Sequence, residues 1–205
     1  MKKVTKEELE AMDAMSLKCA QELSDAHVDV MGYACLVAIM SMGRGYHCVS
    51  EVNLHQETVA NDFPTPIVTS AGALINGLKV LGAKQISIIT PYMRPLTDKV
   101  VDYIEHQGIK VKQSIALEIP DNLEVAAQNP MNLLEIYKQL DLTDVDVLVA
   151  SACVQMPSLE AIDLIQAECG IPVTSAAICT TYEMMKKLGI EAKSAIGGSL
   201  LSGKY

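Results

Sequence analysis

Asp144-Val-Asp-Val-Leu-Val-Ala-Ser-Ala-Cys-Val-Gln-Met-Pro157 is the stretch that decides the fold of this chain. Val145, Val147, Leu148 and Val149 give this stretch an apolar, largely β-branched character, which is typical of a short parallel strand buried on both faces. The small residues at 150–152 allow the backbone to turn, and Cys153 stands at that turn, where we expect a helix to begin. The stretch therefore predicts a buried strand with a thiol at its carboxyl end.

The same arrangement occurs once before, at Val28-Asp-Val-Met-Gly-Tyr-Ala-Cys35-Leu-Val. An amphipathic segment precedes each copy, at residues 17–24 and 133–140, and predicts a helix there. Each copy is followed by a related sequence, Pro66-Ile-Val-Thr-Ser-Ala71 and Pro172-Val-Thr-Ser-Ala-Ala177. An internal repeat of this length indicates two similar halves, each with one cysteine.

Further strands are predicted at residues 85–90, 111–117 and 192–196, and helical patterns separate the strands. Strands that alternate with helices indicate parallel sheets with right-handed crossovers. We therefore predict an α/β protein of two similar domains, with parallel sheets flanked by helices. A pseudo-twofold relates the domains, and the active site lies in the cleft between them.

The repeat also predicts where the domains divide. The first domain comprises residues 1–68 and 184–205, and the second comprises residues 69–183. The second half has a strand, a helix and a strand before its cysteine helix, whereas the first half starts directly at the helix. We therefore expect the first domain to be N-terminally incomplete, lacking a βα unit of on the order of 30 residues.

Composition narrows the classes of function. The chain has 205 residues and a formal net charge of −9, which argues against nucleic acid and anionic membranes as partners. No apolar run reaches the roughly 18 residues of a membrane span, and residues 1–10 lack the apolar core of a signal peptide. Without export, the six cysteines are expected to be reduced thiols, and their spacing does not predict a metal site.

The two repeated cysteines are the candidate catalytic residues. A thiol at the carboxyl end of a parallel strand lies where active sites form in open α/β sheets. The N–H groups of a following helix lower the pKa of such a thiol, which gives a nucleophilic thiolate or a proton donor. A single Cys35 or Cys153 would more often be a small buried apolar residue, but their matched contexts favour a functional pair. The other cysteines have no repeated counterpart, and we interpret them as packing residues: Cys19, Cys48, Cys169 and Cys179.

Three polar residues are weaker candidates. Tyr92 and Asn122 follow strands of the second half, at the sheet edge predicted for Cys153, where they could hydrogen-bond a carboxylate. Each taken alone is also a common turn or surface residue. His47 lies twelve residues after Cys35 and suggests a Cys–His dyad, although we favour a surface or capping histidine at a loop–helix junction.

The motifs resemble those of the bacterial maleate cis–trans isomerases, which belong to the aspartate/glutamate racemase superfamily. The segments that carry this resemblance extend over almost the whole chain: Gly32-Tyr-Ala-Cys-Leu-Val-Ala-Ile-Met40, Ile67-Val-Thr-Ser-Ala-Gly-Ala73, Ala116-Leu-Glu-Ile-Pro-Asp-Asn122, Ser151-Ala-Cys-Val-Gln-Met156 and Leu200-Leu-Ser-Gly-Lys-Tyr205. Members of that family begin with a strand and a Pro-Ser-Ser-Asn-type loop, and this chain starts after that point.

The resemblance implies a role for each candidate residue. Cys35 is the nucleophile, and Cys153 is its opposed acid–base partner. The resemblance also implies the hydrogen-bond donors that hold the substrate carboxylates. They are the side chains of Tyr92 and Asn122 and the backbone N–H groups of Leu36, Val37 and Val154. The resemblance also implies a cofactor-free, cytoplasmic homodimer without a bound metal.

The implied reaction is the conversion of maleate to fumarate, by addition of the Cys35 thiolate and rotation about C2–C3. The alternatives are an amino-acid racemase, an arylmalonate-type decarboxylase of the same superfamily, or an inactive, shortened form that only binds dicarboxylates.

Overall fold

The computed structural model describes residues 5–205, apart from the side chain of Lys6. In this range the strands are β1 (Met31–Tyr33), β2 (Ile67–Thr69), β3 (Gln85–Thr90), β4 (Lys110–Ala116), β5 (Val147–Ser151) and β6 (Val173–Ser175). The α-helices are α1 (Lys6–Ser24), α2 (Leu36–Ser41), α3 (Tyr46–Ala60), α4 (Ser70–Val80), α5 (Arg94–His106), α6 (Asn122–Ala126), α7 (Leu133–Ile136), α8 (Leu159–Cys169) and α9 (Ala176–Lys187).

The strands form two parallel sheets. One contains β1 and β2, and the other has the order β4-β3-β5-β6. All the strand pairs in both sheets are parallel, and helices connect them, which confirms the predicted α/β class. Each cysteine strand pairs with the strand of the Val-Thr-Ser sequence that follows it, with Tyr33 opposite Thr69 and Ser151 opposite Ser175. The internal repeat is therefore also a repeat of strand pairing.

The centre of the larger sheet is buried on both faces. The side chains of Ile86, Ile88 and Ile89 in β3 and of residues 147–150 in β5 are all 0% exposed. Continuous apolar runs form strands here because helices cover both faces of a parallel sheet. The Asp146 carboxylate fixes the start of β3 by accepting hydrogen bonds of 2.8 Å from the backbone N–H groups of Lys84 and Gln85.

Helices α4 and α9 follow the paired Val-Thr-Ser strands and pack against each other. Both begin with a hydroxyl cap: the Thr69 side chain accepts from the N–H of Gly72, and the Ser175 side chain accepts from the N–H of Ile178. The helices approach closely at Gly77, where an added Cβ would lie 2.6 Å from Cys179 Sγ. Glycine is required at this crossing because no larger side chain fits beside the sulfur.

The sequence predictions of a strand at residues 192–196 and of a full helix at residues 133–140 are wrong. Residues 192–196 do not form a strand. They pair with the C-terminal tail through a single antiparallel bridge between Lys193 and Ser202. The tail is too short to extend this bridge into a strand. The helix predicted at 133–140 is reduced to α7, with 3₁₀ turns on both sides, because Pro130 opens the segment and extended backbone at Leu140 closes it.

Within residues 5–205, none of the helices combines the length and apolar character that crossing a membrane requires.

Candidate active site

Cys35 lies between β1 and α2, as its sequence context predicts. It is the N-cap residue of α2, and the buried residues Leu36 and Val37 form the first turn of that helix. The first N–H groups of a helix have no partner within the helix, so they are available to a ligand or a thiolate at this end. The N–H of Ala38 interacts with the Cys35 sulfur.

Cys153 lies after β5, but the structure corrects the prediction that a helix starts there. Helix α8 begins at Leu159, and the chain bends through the intervening residues. The Ser151 side chain holds this bend, since its hydroxyl donates to the carbonyl of Cys153 at 2.9 Å and accepts from the N–H of Cys153 at 3.4 Å. Pro157 delays the helix because a residue that precedes proline is disfavoured in helical conformation.

One pocket contains both thiols. We call it the cysteine pocket, and its lining residues are Ala34, Cys35, Leu36, Val37, Tyr92, Asn122, Cys153, Val154 and Gln155. All seven residues that the sequence analysis proposed for catalysis or substrate binding are among them. Ala34 and Gln155 were not proposed, and their position next to the two cysteines was the only signal that could have indicated them. The cavity volume is about 30 Å³, little more than a water molecule requires.

A second cavity adjoins the first on the side of Cys153. We call it the side chamber, and its lining residues are Thr5, Tyr92, Met93, Ile119, Pro120, Asn122, Val125 and Cys153. Its volume is about 320 Å³, and it shares Tyr92, Asn122 and Cys153 with the cysteine pocket. A four-carbon diacid therefore has space only if it extends from the cysteine pocket into this chamber.

The Cys35 thiol is protonated at neutral pH. Burial raises its pKa to about 11, and the nearby Cys153 and Asp13 act in the same direction. The N–H of Ala38 opposes this change, which is the helix effect that the sequence predicted. The prediction of a lowered pKa is nevertheless wrong for the resting protein, because the loss of hydration outweighs the helix N-terminus.

Tyr92 is buried, with 6% of its side chain exposed. Its hydroxyl donates a hydrogen bond of 3.0 Å to the carbonyl of Ala152, the residue before Cys153. Burial, together with the neighbouring Cys153 and Cys35 thiols, raises the pKa of Tyr92 well above its ordinary value. The phenol therefore stays protonated and fixes the turn that presents Cys153.

Asn122 was predicted to lie in a polar turn, but it is the first residue of α6. The carboxylate of Asp121 caps this helix by accepting from the N–H groups of Leu123 and Glu124 at 2.7 and 3.1 Å. The Gln155 side chain donates to the Asn122 carbonyl at 2.7 Å. This bond connects α6 to the bend that carries Cys153, so the two walls of the pocket are held together.

Within the described part of the chain, the lining of the cysteine pocket offers no side-chain cation to an anion. Neither lysine nor arginine is among the described residues that line it. Among residues 5–205, His, Cys, Asp and Glu side chains form no group of three or more that could hold a metal ion. A carboxylate here must be bound by backbone N–H groups, the Asn122 amide and hydroxyl or thiol protons.

His47 and the four other cysteines do not line the cysteine pocket. His47 is in the first turn of α3, and its Nδ1 bonds to the hydroxyl of Tyr103, so it forms a partly buried pair and not a dyad with Cys35. Cys179 is fully buried and Cys169 is partly buried, as expected of packing residues. Cys19 and Cys48 are exposed, so their interpretation as packing residues is wrong.

Comparison with known proteins gives consistent matches over the whole chain. Residues 1–201 match the protein family described as arylmalonate decarboxylase. A maleate isomerase from Geobacillus stearothermophilus is 56% identical over 205 residues, which cover 100% of this chain and 82% of that protein.

Solved structures agree with these matches. A crystal structure of a cysteine-to-alanine variant of the maleate isomerase from Pseudomonas putida S16, with maleate, has a TM-score of 0.99 and 58% identity, covering 100% of this chain and 82% of that chain. The maleate cis–trans isomerase of Nocardia farcinica, as a cysteine-to-serine mutant with a covalently bound succinylcysteine intermediate, has a TM-score of 0.95 and 39% identity. Here the alignment covers 100% of this chain and 84% of that chain.

Proposed function

This chain belongs to the maleate isomerases, and on that premise we propose that its cysteine pocket converts maleate to fumarate without a cofactor. The observation that carries this proposal is the presence of both thiols, Cys35 and Cys153, in one pocket that also contains N–H and amide donors for carboxylates.

The reaction requires that a double bond become temporarily single. The Cys35 thiolate adds to one alkene carbon, and a carbon–sulfur bond forms as the π bond breaks. The electron pair moves to the other alkene carbon and its carboxylate, and Cys153 transfers a proton to that carbon. The product is a succinyl thioether on Cys35, the same chemical type as the succinylcysteine in the N. farcinica structure.

The second half of the reaction reverses these steps after rotation about the C2–C3 single bond. Cys153, now a thiolate, removes the proton from the carbon, the double bond re-forms, and the carbon–sulfur bond breaks. Both cysteines return to their starting states, so no atom or electron is gained or lost. This balance agrees with an isomerase that uses two thiols and no external oxidant or reductant.

Formation of the thiolate, in which Cys35 loses its proton to solvent water, is the demanding step in the resting protein. A pKa of about 11 for Cys35 means that ionisation at pH 7 costs about 5 kcal/mol. The N–H of Ala38 at the start of α2 already keeps this cost below what burial alone would impose. A barrier of this size is compatible with enzymatic turnover, since it leaves most of a typical activation free energy for the addition step.

The substrate carboxylates are assigned to the two walls of the pocket. One carboxylate accepts from the backbone N–H groups of Leu36 and Val37 beside the nucleophile. The other accepts from the N–H of Val154 and from the Asn122 side chain. Tyr92 binds this second carboxylate by shifting its hydroxyl proton from the carbonyl of Ala152 to the substrate. These donors also stabilise the charge that develops when the thiolate adds.

Spectrophotometry of maleate loss and fumarate gain tests the proposal directly. Cys35→Ser is expected to abolish turnover, and Cys153→Ser is expected to lower it by at least a hundredfold, because proton transfer fails. Cys48→Ser is the matched control, since this exposed cysteine lies outside the pocket. Full activity of the Cys35 variant would contradict the assignment, and release of CO₂ from an arylmalonate would favour the decarboxylase alternative.

We also propose the larger-scale properties that the resemblance implies. The protein is a cytoplasmic homodimer that uses no metal and has no nucleic-acid or membrane partner. Its domains divide the chain into residues 1–68 with 184–205 and residues 69–183. Light scattering of the purified protein tests the dimer, and activity after treatment with a chelator tests the independence from metal.

A further inference from the structure

The side chamber is larger than the remainder of a maleate molecule requires. It encloses about 320 Å³ next to Cys153, whereas the cysteine pocket encloses about 30 Å³. Its wall beyond the shared residues consists mainly of apolar side chains, namely Met93, Ile119, Pro120 and Val125. A carboxylate gains no hydrogen bonds from these residues, so the unshared part of the chamber favours an apolar group.

The chamber is also asymmetric with respect to the two thiols. Cys153 lines both cavities, whereas Cys35 lines only the cysteine pocket. A substituent in the chamber must therefore lie on the alkene carbon nearer to Cys153. The carbon attacked by Cys35 then carries a hydrogen and its carboxylate but no alkyl group, so the substituent does not obstruct the nucleophile.

We infer that the side chamber is a subsite for an apolar substituent, and that the protein isomerises 2-alkyl cis-butenedioates in addition to maleate. This inference rests on the proposed function and extends its substrate class. The Cys35 sulfur bonds to the unsubstituted carbon, the π electrons move to the alkyl-bearing carbon, and Cys153 supplies the proton there. After rotation the same proton returns to Cys153, and the thiolate leaves.

The expected preference follows from the size and polarity of the chamber. Burial of one more methylene in an apolar site favours binding by about three- to fourfold. A site without space would instead reject each added methylene by about tenfold or more. We therefore expect kcat/KM for 2-ethylmaleate to equal or exceed that for 2-methylmaleate, with both within about tenfold of the value for maleate.

The variant Ile119→Phe tests the location of the subsite. It fills part of the chamber from a partly buried position, outside the cysteine pocket. The ratio of kcat/KM for 2-ethylmaleate to that for maleate should fall at least tenfold. Ile190→Phe, the same change at an exposed residue that lines neither cavity, should leave the ratio unchanged. An equal loss for both substrates in Ile119→Phe would mean that the chamber is only an entrance, and would overturn the inference.

Calorimetry separates this inference from the proposed function. Succinate and 2-ethylsuccinate are saturated probes that need no turnover. Tighter binding of 2-ethylsuccinate, with the preference lost in Ile119→Phe, would support the subsite even if maleate were not isomerised. Weaker binding of 2-ethylsuccinate than of succinate would overturn the subsite even if maleate turnover were rapid.

Discussion

The protonation state of Cys35 leads to a quantitative prediction for its reaction with an alkylating agent. With a pKa of about 11, the fraction of Cys35 present as thiolate is about one in 10,000 at pH 7 and about one in ten at pH 10. Because the thiolate is the reactive form, the rate of alkylation at Cys35 should increase about a thousandfold over these three pH units.

The assay is timed treatment of the ligand-free protein with iodoacetamide, followed by mass spectrometry of the peptide that contains Cys35. The log of the rate should rise with a slope of one up to pH 10. The value of kcat/KM for maleate should follow the same slope, because it reports ionisations of the free enzyme.

The stability of the folded state sets the highest pH at which the alkylation rate can be interpreted. The folded-state pKa of Cys35 is raised above its ordinary value of 9.0, so the neutral thiol favours the folded state below about pH 9. That contribution is lost as pH rises from about 9 to about 11. Circular dichroism at each pH therefore serves as the control for folding. A plateau of the alkylation rate below pH 9 in folded protein would refute the argument, since it would mean that the helix N-terminus outweighs burial.

Three substitutions test other parts of the account. Tyr92→Phe leaves the buried carbonyl of Ala152 without its hydrogen-bond partner, so the free energy of urea unfolding should fall by about 1–3 kcal/mol. The KM for maleate should also rise. Unchanged values of both quantities would contradict the assigned role of the hydroxyl. Asn122→Asp places a negative charge beside a dianionic substrate and should raise the KM for maleate at least tenfold. The control Asn129→Asp makes the same change outside the pocket and should leave KM unchanged. An equal effect of the two changes would count against Asn122 as a carboxylate ligand. Gly77→Ala should lower the free energy of urea unfolding by about 1–3 kcal/mol, because the new Cβ would meet Cys179 Sγ. In a Cys179→Ala background this loss should be smaller. A stabilised Gly77→Ala protein would show that helix propensity outweighs the contact.

The sequence was most informative where an apolar run and its surroundings were both unambiguous. The strand predicted at residues 85–90 coincides with β3. The repeated cysteine motifs correctly predicted two thiols at the carboxyl ends of parallel strands. The prediction that Tyr92 and Asn122 lie at the same sheet edge as Cys153 agrees with their position in the cysteine pocket, although tens of residues separate them from the cysteines in sequence.

The errors come from properties that depend on tertiary structure. The pKa of Cys35 depends on how much water the folded protein excludes, which the local sequence does not encode. The helix after Cys153 starts later than predicted, because Ser151 and Pro157 together stabilise a bend. Residues 192–196 were predicted as a strand, but among residues 5–205 they bridge only the short C-terminal tail, at Ser202.

The role of Cys35 as the nucleophile is tested most directly by trapping its adduct. Cys153→Ser protein incubated with maleate should accumulate a succinyl group on the peptide that contains Cys35, because water can protonate the carbanion slowly whereas the serine hydroxyl cannot remove that proton again. A Cys35→Ser, Cys153→Ser double variant should accumulate none. An adduct on the Cys153 peptide of the Cys35→Ser protein, together with retained turnover, would contradict the account.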